Sequence, residues 1–203
     1  MDKRTLILSV GNPGRSARHS VGHLGLKYLM DMIPCKQLVK PKQKSAYSMS
    51  ETDAFIFVHS NTFMNESAKA LKEVLEDLRL ALSQLVVIIL YDDFESNIGS
   101  VKLSQFKKSE SHGGIKDLKN YISKLNIDSQ VFKLGIGIGP KPSNATKDTM
   151  GRWVLAPFKS SELEVLRDNS FPMLYLYIHS IDEYTGPTLD VNKINSQVKN
   201  LAT

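Results

Sequence analysis

The sequence predicts an α/β fold: a single domain with a twisted, mixed and mostly parallel sheet that is flanked by helices on both faces. Short apolar runs rich in β-branched residues alternate along the chain with amphipathic helical patterns, which is the order typical of parallel sheets. A length of 203 residues with 41% hydrophobic content is sufficient for one well-buried core. Because we find no internal repeat and no low-complexity tract, we expect one domain over residues 1–203, with a polar tail from about Gly186.

The composition limits the class of protein. A net charge of +5 is compatible with a polyanionic partner but does not identify one. Cys35 is the only cysteine, which excludes an internal disulfide and a cysteine zinc cluster and suits a reducing compartment. The longest apolar run, Leu85–Leu90, is too short to span a bilayer, and Met1 is followed almost at once by the first strand. We therefore expect no membrane partner and a cytoplasmic protein, with mitochondria as the alternative compartment.

The first half of the chain contains three predicted strands and two helices. Pro34 ends the first helix, and the lysine-rich segment 35–44 predicts a solvated connection or a short edge strand. We predict these elements: strand Leu6–Val10, helix Val21–Met32, strand Ala54–Val58, helix Glu66–Leu80 and strand Leu85–Leu90.

The second half continues the alternation. Glycines at every second position of the strand Val131–Gly139 predict that another backbone approaches closely. Pro172 is expected to kink or divide the following helix. The remaining predicted elements are strand Ile98–Phe106, polar loop 107–111, a helix from His112 to about Leu125, a long connection Pro140–Phe158, helix Ser161–Ile181 and a frayed helix in the tail.

Chemically capable side chains follow three of the predicted strands. Asn12 and His19 follow the first strand, Asn65 follows the second, and Asp92 and Asp93 follow the third. Because parallel strands end at the same edge of a sheet, we expect these side chains to converge.

The converging groups are chemically complementary. A neutral His19 accepts a proton from water if its other ring nitrogen donates to a carboxylate, for which Asp92 and Asp93 are both candidates. Asn12 and Asn65 offer amides that can hold a substrate carbonyl or water, or stabilise an oxyanion.

Each of these residues also has a simpler interpretation. Asn65 could cap the helix that follows it, the two aspartates could form a turn or a cap, and His19 could bond a backbone carbonyl. His59 and His179 lie in apolar stretches and are expected to be packed.

Metal and nucleotide cofactors are not expected. His23 lies four residues after His19, but the glutamate of a zinc-protease helix is missing between them. The glycines of Gly11–Gly14 and Gly135–Gly139 do not form a dinucleotide-binding fingerprint.

Several lysines near the same edge could contact phosphates, and the helix that begins near His112 would add free backbone N–H groups. The alternative is an ordinary solvated surface. The lysines are Lys102, Lys107, Lys108, Lys116 and Lys119.

Taken together, these motifs resemble the bacterial-type peptidyl-tRNA hydrolases over roughly residues 5–180. The resemblance is specific in the combination of GNPG, Arg-His and TFMN. The matching segments, in order, are Gly11–Gly14 with Arg18-His19, Thr62–Ser67, Tyr91–Asp93, His112–Lys116 and Gly135–Pro140.

The resemblance implies hydrolysis of the ester between a peptide and the 3′ end of tRNA by a monomer, without metal or cofactor. It makes His19 the general base and Asp92 its orienting partner, with Asn12 and Asn65 holding substrate and water. The same resemblance implies that Met64 and Gly113 lie beside the substrate. We also expect Lys102, Lys107, Lys108 and Lys116 to contact the tRNA.

The chain departs from the family pattern at several positions. Ser20 and Gly113 replace asparagines, and basic residues that grip the tRNA 5′ phosphate are replaced by Ser104 and Gly135. The loop Arg15–Ala17 is shorter than usual and has no tyrosine. We therefore expect a divergent, eukaryotic member in which other lysines, such as Lys102, Lys107 or Lys108, hold the tRNA.

Two other functions stay open at this point. One is an RNA-binding protein that has kept the fold and lost hydrolysis, which the absence of an asparagine at Gly113 favours. The other is a small-molecule esterase or amidase, which the lysine-rich loops disfavour because an apolar pocket would be expected there.

Overall fold

Six strands form one sheet at the centre of the molecule, in the order β2–β3–β1–β4–β6–β5. The computed structural model describes residues 4–13, 17–79, 85–106, 111–125 and 130–202. The strands are β1 (Arg4–Ser9), β2 (Tyr47–Glu51), β3 (Phe55–Ser60), β4 (Leu85–Asn97), β5 (Val101–Ser104) and β6 (Val131–Gly139).

The four central strands are parallel, and the two outer strands, β2 and β5, run antiparallel to their neighbours. In the register of the sheet, Leu8 of β1 lies between Val58 of β3 and Ile89 of β4. The predicted mixed, mostly parallel sheet is therefore confirmed, and the carboxyl ends of four strands meet at one edge.

Helices cover both faces of this sheet, as predicted. Along β1, Leu6 and Leu8 belong to one core and Ile7 to the other, which is the alternation expected of a strand buried on both sides. The helices α2 (Ser67–Leu78) and α3 (Gly113–Ile122) pack on the first face, and α1 (Val21–Met32), α6 (Phe171–Asp182) and α7 (Val191–Leu201) pack on the second.

The segment between β6 and α6 is more ordered than the sequence suggested. The predicted long connection from Pro140 to Phe158 contains a helix, α4 (Lys147–Leu155), which the Thr146 hydroxyl caps by accepting from the N–H of Thr149. Next come α5 (Ser160–Val165) and a π-helical turn, Leu166–Ser170, which ends just before Pro172. The helix is thus divided near this proline as predicted, because proline has no N–H to continue the regular ladder.

Two strand predictions need correction. β4 does not stop at Tyr91; it continues to Asn97 because β6 pairs with it up to Gly139. This pairing depends on glycine, since a Cβ at Gly139 would come within 2.7 Å of the Ser96 carbonyl oxygen, which confirms the predicted close approach. β5 is shorter than predicted and covers only Val101–Ser104.

The C-terminal helix is also firmer than expected. Ile194 and Val198 of α7 are 0% and 1% exposed, so the tail is packed instead of frayed. Asn195 donates to the carbonyl of Leu103 in β5 at 2.9 Å and accepts from the N–H of the same residue at 3.2 Å. At the opposite edge, Val39 makes two backbone bonds with Met49 of β2.

No helix in the described part of the chain combines the length and apolar character required to cross a bilayer.

Candidate active site

The carboxyl edge of the sheet brings together most of the predicted site residues. β1 leads into Asn12, and a 3₁₀ turn, Arg18–Ser20, presents His19 just before α1 begins. β3 leads into a second 3₁₀ turn, Met64–Glu66, which carries Asn65. Asp92 lies within β4, where the strand passes this edge.

Asp92 joins two histidines at the centre of the site. Its Oδ2 lies 2.7 Å from Nδ1 of His19, and its Oδ1 lies 2.8 Å from Nε2 of His112. Asp92 is 0% exposed and His112 is 4% exposed. Both carboxylate oxygens are therefore held inside the protein, and the side chain of His19 remains partly open to solvent.

The hydrogen-bond partners fix which ring nitrogens carry protons. Nδ1 of His112 accepts from the backbone N–H of Ile115, so its Nε2 is the donor to Asp92. Nδ1 of His19 likewise donates to Asp92, since an ionised carboxylate can only accept. This leaves Nε2 of His19 as a free lone pair that can receive a proton.

The environment keeps Asp92 ionised. Burial alone would raise the pKa of this carboxyl, but the charges and hydrogen bonds of His112 and His19 lower the pKa to about 2. The carboxylate is therefore negative at physiological pH and stabilises a positive charge on either imidazole.

The structure distinguishes the two aspartates that the sequence left open. Both aspartates lie in β4, so neither forms a turn or a helix cap. Asp93 accepts from the backbone N–H of Glu95 at 3.1 Å and from the hydroxyl of Ser96 at 2.7 Å, where the register of β4 with β6 shifts. Asp92 faces inward to the histidines.

Asn12 is oriented by the loop after β3. Its Oδ1 accepts from the N–H of Met64 at 3.0 Å, which turns the Nδ2 amide group away from that loop as a donor. The Ser20 hydroxyl donates to the backbone carbonyl of Asn12 at 3.1 Å and holds the turn closed. Met64 is only 2% exposed, so it offers a substrate little surface and supports Asn12 from below.

Asn65 lies against the start of α3. It does not cap α2, because Glu66 occupies that position and the Asp117 carboxylate accepts from the N–H of Ala68 at 2.8 Å; the capping interpretation is wrong. A Cβ on Gly113 would collide with Oδ1 of Asn65, so the missing side chain at Gly113 is what lets the Asn65 amide occupy this place.

Arg18 fixes the Arg18–Ser20 turn, which we call the catalytic turn because it carries the predicted base His19, to Pro157 and α5. Its guanidinium makes two bonds of 2.7 Å to the Glu162 carboxylate and one of 2.8 Å to the carbonyl of Pro157. The same group lies 5.4 Å from the ring centroid of Trp153 and 5.3 Å from that of Phe158. The residue before His19 is therefore held by charge, hydrogen bonds and aromatic rings together.

A cleft of about 450 Å³ opens on the far side of Asp92 and His112. Lys102 and Lys133 both line it; Lys102 is opposite Gly135 in the β5–β6 register, and Lys133 is opposite Ser104. Each position where the family pattern lost a basic residue thus has a lysine directly across the strand pair.

The structure describes two of the other four lysines that the sequence predicts to contact phosphates. Lys116 is exposed on α3, near the start of that helix, and Lys119 is half-buried one turn later. Lys107 and Lys108 lie outside the described residues, so their predicted contact with tRNA stays a prediction.

Within the described ranges, His19, Asp92 and His112 form a cluster whose ligand atoms lie within 4.8 Å of one another, close enough to hold a metal ion. The two nitrogen–oxygen distances of 2.7 and 2.8 Å are those of charge-assisted hydrogen bonds. These distances fit hydrogen bonds from the two imidazoles to the carboxylate.

Sequence reasoning missed two residues of this site. The sequence indicates His112 as the start of a helix and as part of the matching segment His112–Lys116, without a bond to Asp92; a histidine at the N-cap instead of the usual Ser, Thr, Asp or Asn is a signal. Phe63 is 65% exposed beside Met64, an unusual position for a phenyl ring. The expectation for His179 was wrong, since it is exposed and lies 3.2 Å from Glu183.

The fold and this geometry define a class: an α/β protein with the site of a hydrolase that activates water through a histidine and a buried carboxylate. Comparison with known proteins makes the class specific. A family model described as "Peptidyl-tRNA hydrolase" matches residues 6–199. The chain belongs to the peptidyl-tRNA hydrolase family.

Individual relatives agree with this assignment. The chain is 30% identical to a peptidyl-tRNA hydrolase of Mycoplasma capricolum over 194 residues, which are 94% of this chain and 99% of that one. It is 34% identical to a peptidyl-tRNA hydrolase of Prochlorococcus marinus over 148 residues, or 70% of each chain. The expected eukaryotic origin stays a prediction.

A solved structure shares the fold. The crystal structure of peptidyl-tRNA hydrolase from Acinetobacter baumannii superposes with a TM-score of 0.73 at 21% identity, covering 98% of this chain and 95% of that one. The predicted fold class is therefore confirmed by a whole-chain match.

Proposed function

We propose that this chain hydrolyses the ester bond of peptidyl-tRNA with water activated by His19, releasing a peptide and free tRNA. Membership of the family supports the reaction. The observation that carries the proposal is the bond between Nδ1 of His19 and Asp92, which leaves Nε2 of His19 as a base at the open end of the site.

The reaction requires one proton to move twice. Nε2 of His19 takes a proton from water as the oxygen attacks the ester carbonyl, and Asp92 stabilises the imidazolium that forms. The Nδ2 group of Asn12 and the amide of Asn65 donate to the oxyanion of the tetrahedral intermediate. On collapse, the imidazolium returns its proton to the 3′ oxygen of the tRNA, which leaves as a hydroxyl.

His112 completes the arrangement from behind. Its Nε2 donates to Oδ1 of Asp92, and this bond keeps the carboxylate from rotating away from His19. Because two imidazoles and one carboxylate provide the acid–base chemistry, we infer hydrolysis without metal or other cofactor.

The cleft beyond Asp92 suits the tRNA. Lys102 supplies positive charge there from an exposed position, and Lys116 is exposed on the adjacent helix. The exposed ring of Phe63 offers a surface on which a terminal base can stack. We assign these residues to the tRNA strand, whose phosphates pair with lysines.

The proposed oligomeric state and compartment come from the sequence. The resemblance to the family implies a monomer. The free thiol of Cys35 suits a reducing compartment and supports the cytoplasm, with mitochondria as the alternative.

The deciding experiment compares wild type with His19→Ala on an N-blocked aminoacyl-tRNA, in buffer treated with a chelator. We expect the wild type to release free tRNA and His19→Ala to lose turnover by about 10²–10⁴-fold while keeping the wild-type circular dichroism spectrum. The chelator should leave the wild-type rate unchanged.

A useful control is His179→Ala, which removes an exposed imidazole far from Asp92 and should keep full activity. Full turnover by His19→Ala would overturn the assignment of the base. Binding of tRNA without release by either protein would instead indicate an RNA-binding protein that has lost hydrolysis.

A further inference from the structure

A second cleft, of about 700 Å³, begins at the other side of the catalytic centre. Asn12 and Ser20 line its inner end, and Lys27 and Asp31 line its outer end. Asp92 and His112 line the first cleft, whereas Asn12 lines this one, so the two clefts open on different sides of the site.

The walls of this second cleft are mainly apolar. Leu24 and Met30 of α1 and Leu38 of the following segment contribute half-buried side chains to it. The only described ion pair on its lining residues joins Lys27 to Asp31 at 3.2 Å, and those two charges compensate each other. The cleft therefore lacks the excess positive charge that a nucleic acid strand requires.

Two stacked histidines form its floor. The rings of His23 and His59 lie 3.8 Å apart and only 19° from parallel. Nδ1 of His23 lies 2.9 Å from the hydroxyl of Ser9, and Nδ1 of His59 lies 3.2 Å from Oδ1 of Asn61, so both rings are fixed in place.

The histidine floor is uncharged. Burial and the neighbouring His59 lower the pKa of His23 to about 3, and burial also lowers the pKa of His59. Two neutral, parallel imidazoles present a flat surface that favours apolar or aromatic groups over phosphates.

The length of the cleft fits an extended peptide. Its lining residues on α1 run from Ser20 to Asp31, a distance of about 16 Å at 1.5 Å per residue. An extended chain advances about 3.3 Å per residue, so about five residues fit.

We propose that this cleft, the α1 cleft, binds the peptide moiety of the substrate as an extended chain that leads from the ester at Asn12 across the His23–His59 floor towards Leu38. The inference rests on the proposed hydrolysis of peptidyl-tRNA. It places the two halves of the substrate on opposite sides of the catalytic residues.

The test compares two substrates with the same tRNA and the same C-terminal amino acid. One carries only an N-acetyl group, and the other carries four further apolar residues. Leu38→Asp should reduce the ratio of kcat/KM for the long substrate to kcat/KM for the short one by about tenfold. This ratio does not depend on the fraction of folded enzyme, because both substrates are measured on the same preparation.

Val39→Asp is the matched control, since the neighbouring side chain is 64% exposed and does not line the cleft. It should leave the ratio at the wild-type value. A ratio unaltered by Leu38→Asp, or a loss that is equal for both substrates, would overturn the proposal.

A binding measurement separates failure of the inference from failure of the proposed function. Isothermal titration with the free N-acetyl pentapeptide requires no turnover, and Leu38→Asp should weaken its affinity at least fivefold relative to Val39→Asp. If the wild type cleaves neither ester, but Leu38→Asp still binds the peptide more weakly than Val39→Asp does, then the proposed hydrolysis is wrong and the peptide site is supported. If Leu38→Asp weakens the binding of deacylated tRNA but not the binding of the peptide, the cleft binds RNA and the inference is wrong.

Discussion

Gly113 illustrates how one residue can change the meaning of a family pattern. The resemblance places an asparagine here, and its absence favoured a protein that had lost catalysis. In the structure, the amide of Asn65 fills the space that a side chain on Gly113 would need. The Asn65 amide therefore occupies space that it would have to share with the side chain of an asparagine at position 113.

We predict that Gly113→Asn lowers kcat/KM instead of restoring a lost function. The new side chain must shift the Asn65 amide from its present position, and a misplacement of about 1 Å can cost up to about 10²-fold in rate. Steady-state kinetics on an N-blocked aminoacyl-tRNA would measure this effect.

Gly151→Asn provides the comparison, because an added Cβ at that glycine of α4 meets no atom within 4 Å. It should retain the wild-type rate. A faster Gly113→Asn enzyme would show that the site tolerates both amides and that the family arrangement is the better one.

At the level of elements, the contact between the catalytic turn and α5 links two parts of the chain that are far apart in sequence. The side chains of Arg18 and Glu162 are 7% and 24% exposed, so their ion pair is largely shielded from water. Removal of one partner from such a pair leaves the other charge buried without compensation.

We therefore expect Glu162→Gln to lower the free energy of unfolding by about 2 kcal/mol. The substitution should also reduce kcat by about tenfold with little change in KM, because the turn that carries His19 loses its anchor. Urea denaturation and steady-state kinetics measure the two effects on one preparation.

Glu164→Gln, at an exposed position of the same helix, should change the free energy of unfolding by less than about 0.5 kcal/mol. If Glu162→Gln lowered stability but left kcat intact, the ion pair would hold the helix without positioning the base.

The elements also show what the sequence could and could not predict. The positions of His19 and Asn65 followed from the rule that parallel strands end at one edge, so local patterns were enough. The choice between Asp92 and Asp93 depended on how far β4 continues, and that is set by pairing with β6. The bond from His112 to Asp92 joins residues 20 apart in sequence, and no local pattern contains it.

The same limit explains why α7 was predicted as frayed and α4 as a connection. α7 is amphipathic but polar overall, and its contacts with α6 and β5 bury Ile194 and Val198. α4 lies in a segment whose glycine and prolines indicate a loop, and tertiary contacts of Trp153 and Val154 stabilise it. Both helices depend on non-local packing.

At the scale of the whole molecule, the two clefts differ in the charges that surround them. The cleft beyond Asp92 is lined by Lys102 and Lys133 together with Asp93 and Glu95, and Lys116 is exposed on the adjacent α3. In the α1 cleft the charges of Lys27 and Asp31 compensate each other. Binding of the tRNA should therefore depend on salt, and binding of the peptide should not.

We predict that Lys102→Ala and Lys116→Ala each weaken tRNA binding and each reduce the log–log slope of affinity against salt concentration by about 1. Fluorescence titrations of labelled tRNA at several salt concentrations would give the slopes.

Lys193→Ala is the matched control for charge. Its ammonium lies over the ring of Tyr184, next to Arg4 and Val86 at the amino-terminal edge of the sheet. The salt slope of Lys193→Ala should equal that of the wild type. A reduction as large as that of Lys102→Ala would show that the salt dependence reflects net charge instead of a defined tRNA track.

The closure of both sheet edges has a consequence for the life of the protein in a crowded cell. Asn195 satisfies the N–H and carbonyl of Leu103, and Val39 does the same for Met49, so each outer strand is covered on its outward side at one residue. Removal of α7 would leave the N–H and carbonyl of Leu103 available for pairing with a strand of another molecule. The C-terminal helix thus shields β5 against edge-to-edge association.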